Sequence, residues 1–273
     1  MVKKPSKKVK KSISPHKSFR RTYREDYQRD LKVPGIAEHI ARSFEILFKN
    51  WKLFLPLLII GALIYIIAVG VTGFFSETGG VFAVIVFLFL WLTTIFFARQ
   101  ILAKHKVTFR DGVYNSMAPM TSTFVISFIV VIQCLPIILL VIAYASAVQT
   151  DFLSTPFYAL LFLGFAIVMI AISGYLLSSS LIALVAVTAP GIYPFNALKN
   201  ASVLMMGRRI RFLLRVVALL FVLAVIWVII MLPLAALKPS TEVLNVIITI
   251  LACFSAMYIS VYLYLYYRWL LKN

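Results

Sequence analysis

Between two long apolar runs, residues 199 to 215 carry Lys199, Arg208, Arg209, Arg211 and Arg215, with no acid among them. A guanidinium group keeps its proton and presents forked donors that match phosphate and carboxylate oxygens. The chemistry on offer is therefore anion binding, not proton transfer. Lys49 and Lys52 flank Trp51 in a comparable place, just ahead of an earlier apolar run.

Other reactive groups are sparse. Cys134 and Cys253 each sit inside an apolar run, while His16, His39 and His105 lie far apart. Metal ligation needs clustered Cys and His, so both cysteines read as small apolar side chains packed among helices. No glycine-rich phosphate loop is present. No Asp, Glu, Lys or His falls in the middle of a long run, where ion-coupled transport keeps an ionisable group. Gln133, beside Pro136, and Asn245 are the polar exceptions. No catalytic, cofactor-binding or metal-ligating residue is expected, and the chain reads as a non-enzyme.

The elements that must position these cations follow from composition. Hydrophobic residues make up 62% and charged residues 13%, against about 45–50% and about 25% in globular domains. Runs longer than the roughly 20 residues that cross a hydrocarbon core recur along the chain. The expected fold is an all-α integral membrane protein with six transmembrane helices. They should lie at about 53–75, 81–103, 119–148, 156–189, 210–237 and 241–268.

Charge gives the orientation. The breaks "FFSETGG", "VQTDFLST" and "LKPSTE" are short and hold Glu77, Asp151, Lys238 and Glu242. The other two hold Arg99, Lys104, Lys106 and Arg110, then Lys199, Arg208, Arg209 and Arg211. Lys and Arg are retained on the cytoplasmic side. Of 27 basic residues only Lys238 falls on the opposite side. Both termini should be cytoplasmic and the protein should reside in the cell membrane.

Arg215 lies a few residues inside the fifth run, where its stem can snorkel to the inner interface. Trp51, and Tyr262, Tyr264, Tyr266, Tyr267 and Trp269 ahead of Lys272, are expected to anchor the helices at that interface. The fourth run is long: at ~1.5 Å per residue, 156–189 would measure about 50 Å. Either it tilts and bends near Gly174, or its "LIALVAVTA" end projects past the inner face. In "SGYLLSSS", close helix packing is the default reading and a hydrated cavity the sharper one.

Two segments read as amphipathic. Over 36–51, Ile36, Ala37, Ile40, Ala41, Phe44, Leu47, Phe48 and Trp51 fall on one arc. Glu38, Arg42, Glu45 and Lys49 fall on the other, with Ile46 as the exception. This spacing predicts an interfacial helix, or one docked on the end of the bundle. Pro190 and Pro194 should end the fourth helix, and a new one from Phe195 should gather Phe195, Leu198, Ser202, Met205 and Met206 on one side.

These segments also align. "SFEILFKNWKLFLPLL" (43–58) matches "SVLMMGRRIRFLLRVV" (202–217), with Lys49 on Arg208 and Lys52 on Arg211. A weaker copy is "YNSMAPMTSTFVISFI" (114–129), preceded by the capping-box-like "TFRD" of Thr108 and Asp111. The expected units are 36–103, 107–189 and 195–268. Each would be an interfacial helix plus a transmembrane hairpin, as parallel repeats.

The stretch "APGIYPFNALKNASVLMMGRRIRFLLRVV" (189–217), a proline break, an "AL-K-x-x-S" step, a basic cluster and then a span, resembles a known membrane domain. It is similar to the one carried by some bacterial glycerophosphodiester phosphodiesterases and by related stand-alone membrane proteins without an assigned activity. The six-span plan is similar over residues 36–273. The resemblance implies an accessory membrane domain. The soluble phosphodiesterase barrel has no counterpart here, so it implies no catalytic residue.

Residues 1–35 read as a disordered cytoplasmic tail, with twelve Lys or Arg against Glu25, Asp26 and Asp30 up to residue 32. This basic opening is not that of a cleaved secretory signal. Beside a membrane the tail attracts anionic lipid and fixes topology. Its charge would also suit nucleic-acid phosphates, but lipid is the expected partner. The expected function is a non-enzymatic, lipid-interacting scaffold or accessory domain, with anionic headgroups of the inner leaflet held by Lys49, Lys52, Lys199, Arg208, Arg209, Arg211 and Arg215. One alternative is a permease subunit driven by a separate ATPase, with the Ala201–Gly207 spacing as its trace. Another is an accessory subunit of an enzyme acting on lipid headgroups.

Overall fold

A single residue, Asn50, separates a short amphipathic helix from the first long apolar one. Its Nδ2 donates to Ile46 O at 2.9 Å, which ends one helix while the next begins. The computed structural model describes residues 35–72, 77–105, 107–150, 154–189, 191–237 and 239–272. The basic tail with His16, and Lys106, Asp151, Pro190 and Lys238, lie outside the described residues.

Nine helices follow in order among them: α1 (Ile36–Lys49), α2 (Trp51–Thr72), α3 (Glu77–Leu102), α4 (Phe109–Ser116), α5 (Met120–Gln149), α6 (Pro156–Ala186), α7 (Pro194–Leu204), α8 (Arg209–Ala236) and α9 (Thr241–Lys272). No strand occurs among the described residues. Helices α2, α3, α5, α6, α8 and α9 are long and apolar enough to cross a bilayer. The chain is an all-α, multi-pass membrane protein. Its order runs short, long, long three times, and the basic residues of the described segments gather at the end of the bundle where α1, α4 and α7 lie.

Helix α9 is the centre of the packing. It contacts α1, α2, α3 and α6 and buries Met257, Tyr258, Val261, Tyr262, Tyr266 and Leu270. The core lies toward the basic end. Away from it, α5, α6 and α8 expose apolar side chains such as Ile142, Leu160, Phe221 and Leu232. Lipid tails are as apolar as leucine, so this exposure carries no penalty inside a bilayer.

Helix α6 shows the switch most clearly. Leu160, Leu163 and Ile167 are exposed, whereas Ile182, Ala183 and Val185 are fully buried. The helix runs unbroken through Gly174 and stops at Ala186, short of the expected 189. Its "LIALVAV" end is enclosed by neighbouring helices, and α7 packs back along it. Pro194 does not terminate a helix; it is the first residue of α7. At that position its missing N–H has no acceptor to lose and its fixed φ suits helix entry.

In "SGYLLSSS" the hydroxyls of Ser173, Ser178 and Ser179 bond backbone carbonyls, while Ser180 Oγ is buried with no partner among the described residues. Ser178 and Ser179 bond back to the carbonyls of Tyr175 and Leu176 at 2.8 and 3.0 Å. Ser173 donates to Gln133 O of α5, in the turn that Pro136 disturbs.

Both amphipathic faces differ from the wheel. α1 buries His39, Ser43, Ile46 and Leu47 and leaves Ile36 and Phe48 exposed, as is Trp51 at the start of α2. Ile46, the apparent exception, is core. The helix docks on α9 with Tyr258 donating to Ile40 O at 3.2 Å. α7 buries Ala197, Ala201 and Met205, and exposes Phe195 and Met206. Small residues let its backbone approach α6, which larger ones on the predicted side could not do.

Candidate functional site at the basic end of the bundle

Gly207 brings the chain from α7 into α8 with φ 73°, a left-handed conformation that favours glycine. The turn delivers Arg208, Arg209 and Arg211 to the start of α8. Arg209 reaches back across α7: Nη1 donates to Tyr175 O and Nη2 to Ser202 Oγ, both at 3.3 Å. Its guanidinium carbon lies 3.8 Å from the Tyr175 ring centre, well within cation–π range. Arg211 and Lys199 are exposed, as are Lys49 and Lys52 at the junction of α1 and α2.

Arg215 is only 8% exposed, so the expected outward snorkelling does not occur. Its guanidinium carbon stands 5.5 Å from the Tyr266 ring and 5.8 Å from that of Trp269, and the guanidinium carbon of Arg208 also lies 5.8 Å from the Trp269 ring. Tyr262 and Tyr266 are likewise buried, at 0% and 1% exposure. They are core residues of α9 rather than lipid-facing anchors. A belt residue must face outward, but α1 and α8 close over this side of α9 and turn it inward. Tyr267 and Trp269 are half-buried, and Trp51 alone among the proposed anchors is broadly exposed.

His39 is the unforeseen member of this cluster. Its Nε2 donates to Tyr262 O at 3.4 Å and its ring meets the Tyr262 ring edge-on at 4.8 Å. Burial pushes the imidazole from 6.5 down to about 4; the bond to Tyr262 O opposes this, and the charges of Arg215 and Arg42 add to it. The sequence placed His39 on neither arc of α1. Its buried neighbours along the same face, Ser43 one turn on and Ile46 two turns on, were the available signal.

A second group of residues was not anticipated as a site. Arg99, in the last turn of α3, donates from Nη1 to Thr188 O at 3.1 Å and from Nη2 to Thr188 Oγ1 at 2.7 Å. Thr188 Oγ1 in turn donates to Val185 O at 2.7 Å. Beside this clasp opens a cavity of about 580 Å³, lined by Arg99, Gln100, Asn115, Ser122, Thr188 and Tyr193 among others. Ser116, also in its lining, bonds Thr93 Oγ1 at 3.0 Å and donates to Val113 O at 2.9 Å. Arg268 joins the same end through Leu102 O at 3.5 Å.

The described partners of Arg99, Arg209 and Arg268 are thus neutral: carbonyls, hydroxyls and a ring face. Their geometry is fixed while their charge is left available. No cluster of His, Cys, Asp and Glu able to hold a metal occurs among the described residues. Both cysteines are free. In comparison with known proteins, the chain matches no protein family, no curated protein and no solved structure.

Proposed function

We propose that this protein is a non-enzymatic membrane scaffold that holds anionic lipid headgroups at the cytoplasmic leaflet of the cell membrane. The observation that carries the reading is the set of arginines at one end whose described partners are neutral oxygens and aromatic faces. A cation fixed without a carboxylate partner is preorganised for an incoming phosphate. Retention of Lys and Arg in the cytoplasm orients that end inward. Lys49, Lys52, Lys199, Arg208, Arg209 and Arg211 contact headgroups, and Arg215 braces the aromatic cluster beneath them.

In this reading α1 and α7 lie at the interface, with Phe48, Trp51, Phe195 and Met206, all exposed, dipping into the acyl boundary. The three short–long–long units are parallel repeats of one such device. The basic tail adds long-range attraction to the same leaflet. The resemblance of 189–217 to an accessory membrane domain fits this role. Ala201 and Gly207, whose spacing also fits a transporter coupling helix, serve locally here, one in the α6–α7 contact and one in a left-handed turn.

The test is mass spectrometry of lipid retained when the chain is extracted in native lipid discs. Anionic lipid enriched over the bulk membrane, and lost from the Arg208→Gln, Arg209→Gln, Arg211→Gln triple variant, is the expected result. An unenriched lipid shell overturns the proposal. So does a stoichiometric ATPase or lipid-headgroup enzyme in the discs with no anionic enrichment.

A further inference from the structure

The Arg99 cavity, an open pocket beside the Thr188 clasp, includes none of the cations of α7 and α8 among its described lining residues. Arg99 is the one charged side chain among its described lining residues. Two of the roughly five guanidinium donors are spent on Thr188, which fixes the plane of the group. The remaining donors have no carboxylate among the lining residues to satisfy them. A partly buried cation in such surroundings is destabilised unless something negative approaches.

The rest of the wall defines what that is. Gln100, Asn115 and Ser122 offer amide and hydroxyl donors, with Gln100 and Ser122 half-buried and Asn115 exposed at the rim. No carboxylate that would repel an anion occurs among the described lining residues. Phe96, Ile192 and Tyr193 supply an apolar flank for an organic substituent. At about 580 Å³ the space falls within the roughly 300–1,000 Å³ of small-molecule sites. A forked, immobile guanidinium with neutral donors around it suits phosphate oxygens, where a lone carboxylate would leave donors unused.

We infer that this cavity binds a phosphate-ester anion, with Arg99 as the charged anchor and Gln100, Asn115 and Ser122 as neutral donors. Thr188 positions the arginine and does not itself hold the ligand. The inference deepens the headgroup reading, on which it rests for the placement of this end at a membrane face. Two sources share the chemistry: the headgroup of an anionic lipid and a soluble phosphate monoester.

Calorimetry on the full chain in phosphatidylcholine discs tests it, with dihexanoyl phosphatidic acid, glycerol 3-phosphate and phosphate-free dihexanoyl glycerol as probes. The expected result is one saturable site for a phosphate-bearing probe and none for dihexanoyl glycerol. Arg99→Gln should weaken binding at least about ten-fold. Because that change also removes the Thr188 clasp, Ser122→Phe is the second variant: it fills the cavity, keeps the clasp and should abolish binding. Arg110→Gln, an exposed charge nearby on α4, controls for loss of charge alone and should stay within about two-fold.

Binding of phosphatidic acid alone assigns the lipid source, and binding of glycerol 3-phosphate assigns the soluble one. Wild-type protein that binds neither phosphate probe overturns the inference. So does binding unchanged in both Arg99→Gln and Ser122→Phe. If lipid enrichment in native discs persists while the cavity stays empty, only this inference falls. If enrichment is absent while Arg99-dependent binding stands, the scaffold reading falls instead.

Discussion

Arg99 and Thr188, distant in sequence, are joined by two hydrogen bonds at 3.1 and 2.7 Å that tie the end of α3 to the chain just beyond α6. Both residues line the cavity, and their bonds link the end of α3 to the segment that follows α6. Thr188→Val keeps the carbonyl bond and removes the hydroxyl one. It should lower stability by about 1–2 kcal/mol, with Arg99→Met costing somewhat more, and the double variant should be less than additive. Unfolding in detergent by denaturant titration measures this, and strict additivity would show that the two residues are not coupled.

His39 predicts a pH dependence. Its imidazole is held at about 4 in the folded protein against 6.5 when exposed. Between those values the unfolded chain binds a proton that the folded one refuses, so stability rises with pH across this window. Above about pH 6.5 the residue is neutral in both states and contributes no slope. Acidification toward pH 4 should remove up to roughly 3 kcal/mol, loosening α1 from α9. Hydrogen exchange over residues 36–49 at pH 7 and pH 5 would register the loosening. His39→Phe should abolish the difference, and a slope that survives this change must come from another group.

Tyr266 distinguishes a core from a belt. At 1% exposure, with Phe212 at 5.0 Å between ring centres, its truncation to Ala should cost about 3–5 kcal/mol. The half-buried Tyr267 should be less sensitive. Tyr262→Phe sacrifices only a 3.4 Å bond to Arg215 O and should cost no more than about 1 kcal/mol. Equal, small effects at all three positions would favour lipid-facing anchors.

Gly112 admits no side chain. A methyl group there would lie 1.9 Å from Cε1 of Phe97, itself fully buried. Gly112→Ala should therefore displace α4 from α3 and destabilise the protein by about 1–3 kcal/mol. Phe97→Leu in the same chain should restore part of the loss. Thermal unfolding of the single and double variants would show whether the contact is as close as the packing requires.

Much of the architecture was legible in the chain itself. Long apolar runs broken by prolines and charges identify six membrane-crossing helices because a lipid-exposed backbone must bond within its own helix. One helix start followed from local chemistry: Thr108 Oγ1 accepts from Asp111 N at 3.3 Å. The gathering of Lys and Arg into alternate breaks placed the described cations at one end of the bundle. That much needs only periodicity and charge.

Burial within the bundle was another matter. In a membrane, apolar residues face both lipid and core, so the wheel that separates inside from outside in a soluble helix loses its contrast. Hence Tyr262 and Tyr266 read as anchors and are core, while Ile46 read as an exception and is packed. Arg215 turns inward because α9 offers Tyr266 and Trp269. Arg99 and Thr188 meet because α3 and α6 both pack on α9. Sequence determined which residues the chain places at one end; the tertiary structure decided which of them are exposed, which brace the core and which line a cavity.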